Sequence, residues 1–144
     1  MIRRYVKSDF EGLEVLIKKY NNEVSESPVI NDFYNANNLS TDFDCFVLVE
    51  NSKVYGFITG QKIKNDYLLL DVYVDKNKRN QGYAIKLIKK LLDNAKKYKR
   101  ILSNPENYKS IALLKKLGFK ELSENKKNTS KTGIPPYFTH YYLN

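Results

Sequence analysis

Apolar positions along the chain change spacing in a way that marks successive strands and helices. Ile2 to Val6 reads as a short strand, and Ser8 and Glu11 then stand at capping-box spacing, with Ser8 as N-cap. Leu13, Leu16, Ile17 and Tyr20 follow at helical intervals, which predicts a helix to about Asn21. Ser25 to Ser40 is polar and asparagine-rich around Val29, Ile30, Phe33 and Tyr34, and reads as a short helix with loops. Phe43 to Glu50 and Val54 to Ile63 are β-rich runs joined by Asn51-Ser52-Lys53, a hairpin signal. Tyr67 to Val74 is apolar on both faces apart from Asp71, as a central strand would be.

The second half begins with the strongest helical signal. Ala84, Ile85, Leu87, Ile88, Leu91, Leu92 and Ala95 form one stripe, predicting a helix over Gly82 to Tyr98. Arg100 to Ser103 reads as a short strand and Asn104-Pro105-Glu106 as a turn. A second amphipathic helix, roughly Asn107 to Leu117, stops at Gly118, a residue suited to the left-handed C′ position. Phe119 to Leu122 starts a strand, Ser123 to Gly133 is a polar loop, and Tyr137 to Leu143 is an aromatic strand. Without a repeat or linker, residues 1–144 read as one α/β domain with a strand–loop–helix unit at its centre.

Composition narrows the class. A chain of 144 residues can bury a core, and 42% hydrophobic with 28% charged residues is ordinary for a soluble globular protein. No apolar run approaches the ~20 residues needed to span a bilayer. The opening MIRRYVKSDF has basic residues but no apolar core of a secretory signal, so a cytoplasmic location is expected. Cys45 is the only cysteine, which excludes an internal disulfide and a cysteine-rich zinc site. In its apolar surroundings it reads as a packed thiol. No metal is expected.

Charge is more informative. The net charge of +9 equals the excess of ten basic residues over one acid, Asp93, between Lys76 and Arg100. Such a block attracts anions, whether nucleic acid, a membrane surface or a phosphate-bearing small molecule. Lys86 to Lys97 reads as a solvated helix face. With Arg3, Arg4, Arg79 and Arg100 the only arginines, the chain lacks the arginine enrichment of a nucleic-acid reader.

The block sits where a strand ends at Val74, a glycine-bearing loop follows, and a helix starts near Gly82. Free N–H groups at a helix start favour an anion, and glycine lets a phosphate approach the backbone closely. The loop is neither a phosphate-binding GK[ST] motif nor a complete dinucleotide fingerprint. Its arrangement, Arg79-Asn80-Gln81-Gly82-Tyr83-Ala84, fits [QR]-x-x-G-x-[GA]. Residues Asn107 to Phe119 (NYKSIALLKKLGF) are similar to N-x-x-[AS]-I-x-L-Y-x-K-x-G-F. In both motifs, and in the opening strand and helix, the chain resembles the GNAT superfamily of acyl-CoA-dependent N-acetyltransferases.

The resemblance implies a mixed central β-sheet of about six to seven strands flanked by about four helices. It implies acetyl-CoA as acyl donor, with the amides of Arg79, Asn80, Gln81, Gly82, Tyr83 and Ala84 around its pyrophosphate. Backbone at Val72, Tyr73 and Val74 would hold the pantetheine and thioester, and Asn107 and Ser110 would contact the cofactor arm. The acceptor would be an amine of a small molecule or peptide, with a protein or aminoacyl-tRNA amine, or an inactive acyl-CoA sensor, as alternatives. A homodimer is left open.

Amide formation needs a proton acceptor, because an ordinary alkylamine has a pKa near ~10.4. Asp71 is the only carboxylate within its apolar strand, and D-V-Y-V looks like the D-L-Y-V of amine-acetylating branches. Its alternative is a carboxylate at a sheet bulge or edge, satisfied by a neighbouring donor. Glu50 and a water chain are the other acceptors. Asn107 also suits an N-cap. The family's general-acid tyrosine is replaced here by Leu114, which cannot donate a proton. Tyr108 and Tyr141 are the first substitutes, with Tyr73, Tyr137 and Tyr142 behind them. His140 reads as structural.

Overall fold

In the computed structural model, residues 1–23, 43–98, 100–103, 108–121 and 141–143 are described. The chain runs β1 (Ile2–Arg4), α1 (Phe10–Glu23), β2 (Phe43–Glu50), β3 (Lys53–Ile63), β4 (Asp66–Val74), α2 (Tyr83–Asn94), β5 (Arg100–Ser103), α3 (Tyr108–Lys116), β6 (Lys120–Glu121) and β7 (Tyr141–Leu143). The seven strands form one sheet in the order β1-β2-β3-β4-β5-β7-β6. β4 and β5 pair in parallel, joined through α2, and the other neighbours pair antiparallel.

Local chemistry explains the elements. Asn51 and Ser52 both have positive φ, 51° and 63°, and Glu50 pairs with Lys53. That is the two-residue hairpin turn whose twist matches the strands it joins. Gly118, at φ 95°, ends α3: its N–H donates to Lys115 and the Phe119 N–H to Leu114. Those two bonds are a Schellman motif, sealed by contact between buried Leu114 and Phe119.

Apolar residues cover both sheet faces. Leu13, Leu16 and Ile17 of α1 pack with Val47, Phe57 and Tyr73 on one. Leu87, Ile88 and Leu91 of α2, with Leu114 and Phe119, pack on Phe46, Ile58, Tyr67, Leu69 and Val74 on the other. Burying each large side chain contributes about 1.5–3 kcal/mol.

Two expectations need correction. Ser8 does not cap α1, because residues Lys7–Asp9 already form a 3-10 turn. Asp9 holds that entry instead, accepting the Val6 N–H at 2.9 Å and the Arg3 guanidinium at 2.7 and 2.9 Å. α2 ends at Asn94, short of Tyr98, since Ala95 leaves helical geometry and its N–H is shared between Leu91 and Leu92. The helix expected in Ser25–Ser40, the Asn104–Glu106 turn and the Ser123–Gly133 loop lie outside the described residues.

Candidate functional site

β5 covers only the first part of β4, from Asp66 opposite Arg100 to Leu69 opposite Ser103. Among the described residues, β4 from Leu70 to Val74 has a strand partner on one edge alone, β3. Peptide groups on an edge without a strand partner suit an extended ligand. Val72, Tyr73 and Val74 lie in this stretch.

A one-residue bulge decides which side chains line it. Thr59 pairs with Asp71 but Gly60 pairs with Leu69, so Leu70 is the extra residue. Tyr67 and Leu69 belong to the α2-side core, whereas Tyr73 belongs to the α1-side core. Strand side chains alternate, so without the bulge residues 67, 69, 71 and 73 would share one face. The bulge therefore turns Asp71 towards α1. A carboxylate beside a bulge with a neighbouring donor is what the structural reading of Asp71 anticipated.

The last turns of α1 supply its surroundings. Tyr20 donates its hydroxyl to Asp71 Oδ1, and the Asp71 N–H donates to Thr59 Oγ1 at 3.3 Å. Three residues later, Glu23 Oε1 accepts the Tyr73 hydroxyl at 2.6 Å. Glu23 Oε2 accepts Arg79 Nη2 at 2.8 Å, while Arg79 Nε donates to the Val74 carbonyl at 2.8 Å and the guanidinium lies over the Tyr73 ring. Burial, reinforced by Glu23, pushes the Tyr73 phenol up to about 12, so it is a poor proton donor. The Tyr73 hydroxyl and then Arg79 hold Glu23 below the usual carboxylate range.

The loop after β4 is built on Asp75, whose buried carboxylate accepts the Asn77 N–H at 3.0 Å and Lys19 Nζ at 2.8 Å. Lys19, followed by that N–H, lowers its pKa. Asn80 and Gly82 both sit in the left-handed region, at φ 62° and 79°. Gly82 is the N-cap of α2, and among the described residues no side chain caps that helix. A Cβ built on Gly82 would meet nothing within 4 Å, so it would project into open space in front of the helix start. The first-turn N–H groups of a helix have no partner within it. An uncapped, Cβ-free helix start fits a phosphate group, which is the fit acetyl-CoA requires.

The loop's cations are less available than the sequence implied. Lys78 donates to Glu50 Oε2 at 2.6 Å, Tyr83 donates to Glu50 Oε1 at 3.0 Å, and Lys76 and Arg79 both reach Glu23. Lys78, then Tyr83, holds the Glu50 carboxylate below its usual range, so Glu50 braces the loop and is not poised as a base. What this loop offers an anion is its backbone more than free lysine charge. Lys86, Lys89, Lys90, Lys96 and Lys97 are exposed, as a solvated face should be.

The remaining candidates are placed by topology. Gln81 is exposed beside Gly82, and Ala84 packs against the α2-side core. Tyr108 begins α3, with Ser110 in its first turn. Tyr141 pairs with Ser103 and so lies two strands from β4. Leu114 is 3% exposed inside the core, where a leucine belongs and a proton donor would have little access to solvent. Asn107, Tyr137 and His140 lie outside the described residues. Among the described residues no three metal-ligating side chains cluster, and no helix is long and apolar enough to cross a membrane.

Sequence reasoning missed Tyr20, Glu23 and Lys19 as site residues. Tyr20 read as part of the apolar stripe, and nothing local announces partners some fifty residues away.

Comparison with known proteins bears on this geometry. The sequence model described as Acetyltransferase (GNAT) family matches residues 10–119. No curated protein matches the sequence. A GNAT-family acetyltransferase structure from Staphylococcus aureus Mu50 is similar with TM-score 0.77 and 20% identity, over 100% of this chain and 98% of that one. PaiA N-acetyltransferase from Thermoplasma acidophilum, in complex with coenzyme A, gives TM-score 0.67 and 18% identity over 100% and 98%. The ribosomal-protein-S18-alanine N-acetyltransferase from Escherichia coli gives 0.69 and 20% over 99% and 88%.

Proposed function

Because the chain belongs to the GNAT acetyltransferase family, we propose that it transfers the acetyl group of acetyl-CoA to a primary amine of a small molecule or peptide. One observation carries this reading: an open-edged half of β4 runs directly into an uncapped helix start at Gly82. The N–H groups from Gly82 to Ala84 take the pyrophosphate, and the open edge from Val72 to Val74 takes the pantetheine arm. Arg79 acts inward, fixing the loop to Val74 and Glu23, and leaves phosphate contact to the backbone.

Asp71 accepts a proton from the ammonium form of the acceptor. The freed nitrogen attacks the thioester carbonyl carbon and a C–N bond forms. The C–S bond then breaks with its electron pair on sulfur, the nitrogen gives up its second proton to solvent to leave the amide, and the thiolate takes up a proton. A backbone N–H on β4 stabilises the oxyanion between these steps. A thiol pKa of about 8.5 makes the thiolate a fair leaving group, so Leu114 slows the reaction without forbidding it. Tyr108 and Tyr141 are the proton donors proposed for sulfur.

The five exposed lysines on and just after α2 favour a second reading, in which the acceptor amine belongs to an acidic protein or to an aminoacyl-tRNA. Thiol release from acetyl-CoA across polyamines, aminoglycosides, amino acids, peptides and aminoacyl-tRNA separates the two. Failure to bind coenzyme A refutes both. Binding without turnover on any amine establishes an acyl-CoA sensor instead.

A further inference from the structure

We infer that Tyr20 is a positioning residue for the reaction: its hydroxyl, donated to Asp71, orients that carboxylate and keeps it ionised to receive the amine proton. The inference rests on the reading of Asp71 as proton acceptor.

Three observations carry it. The bulge at Leu70 turns Asp71 to the α1 side of the sheet, where Tyr20 Oη donates to its Oδ1. Tyr20 is not free to swing, because its ring packs edge-on against Phe57 at 5.9 Å and Tyr73 at 5.6 Å between centroids. The Asp71 backbone is held too, through its N–H to the hydroxyl of buried Thr59. The half-buried carboxylate is thus held from helix α1, and the backbone that carries it from the neighbouring strand.

A hydroxyl that donates to a carboxylate favours the charged form. An ordinary phenol, with a pKa near ~10, keeps its own proton throughout. In the step concerned, an N–H bond of the substrate ammonium breaks and an O–H bond forms on Asp71. Tyr20 stays bonded, and the proton later leaves to solvent.

Charged and titratable groups near this pair come from α1, β3 and β4. α1 brings Lys19, held by Asp75, and Glu23, held by Tyr73 and Arg79. β3 brings neutral Thr59, and β4 brings Tyr73 on the same face. Tyr20 reaches the carboxylate itself from α1.

Tyr20→Phe removes the hydroxyl and keeps the ring contacts. In the full-length protein it is expected to lower kcat about ten- to hundredfold, with coenzyme A affinity unchanged. The acidic limb of kcat/KM moves to higher pH, because Asp71 without its donor takes up a proton more readily. Tyr20→Phe added to Asp71→Asn should cost little more. A carboxyl NMR titration of Asp71 in resting wild type and Tyr20→Phe follows the same bond without turnover. An unmoved acidic limb with an active wild type, or an equal loss in the Asp71→Asn background, overturns the inference. An NMR shift in a protein that acetylates no amine overturns the transferase reading instead, and an absent NMR shift overturns the Tyr20 role whatever the activity.

Discussion

Replacing Gly82 by valine separates the folding role of that position from its binding role. Its φ of 79° is left-handed, and holding a residue with a Cβ there costs roughly 1–2 kcal/mol. Among the described residues, and chain neighbours aside, no atom lies within 4 Å of an added Cβ, so the Cβ itself adds no clash to this strain. Tm should therefore fall by only about 3–10 °C, since 1 kcal/mol shifts a domain of this size by about 3–5 °C. Binding should suffer far more, because the side chain fills the space a pyrophosphate would enter. Coenzyme A at about 100 times its Kd stabilises the wild type by about 2.7 kcal/mol, a rise of roughly 8–13 °C. A hundredfold loss of affinity would leave about 0.4 kcal/mol of that at the same concentration. Thermal melts with and without coenzyme A, on wild type, Gly82→Ala and Gly82→Val, read both quantities. A folded Gly82→Val protein that keeps the full ligand-induced shift would refute the phosphate assignment.

Three further outcomes are expected. Asp71→Asn should lower kcat/KM by about 10²–10⁴-fold while leaving coenzyme A affinity unchanged, and equal turnover would make the residue structural. Tyr108→Phe and Tyr141→Phe should each be assayed for steady-state turnover; undiminished rates in both would leave water or unassisted departure of the thiolate. Asp9 and Asp75 are both held below the usual carboxylate range, by Arg3 and Lys19 first. Depressed values stabilise the fold above the unfolded carboxylate pKa and lose that contribution as pH falls through the folded one. Stability should therefore drop below about pH 4, and Asp9→Asn should flatten that slope in urea titrations; an unchanged slope would discount the Arg3 pair.

What the sequence revealed was governed by local rules. Short β-rich runs located β2 and β5 to the residue, and Gly118 announced its helix end because only a left-handed position satisfies the last carbonyls of α3. Gly82 was legible for a similar reason, being a glycine at a strand-to-helix junction. Ser8 misled because its capping pattern competed with Asp9, whose ion pair to Arg3 depends on a strand packed beside it. The loop's charge was legible but its neutralisation was not, since Glu23 and Glu50 come from α1 and β2. Tyr20 stayed hidden because its spacing serves the core equally well, and only the fold places its hydroxyl on Asp71.

The extra residue at Leu70 divides β4 into two frames, one on each side of the bulge. Substitution at Leu70 changes a side chain but leaves both frames where they are. Deletion merges them and would turn Asp71 and Tyr73 to the opposite side of the sheet, away from Tyr20 and Glu23. Such a deletion is expected to abolish acetylation as fully as Asp71→Asn, although the aspartate is still present. Two chains aligned without regard to that one residue could agree on the acid and disagree on the side of the sheet from which it acts.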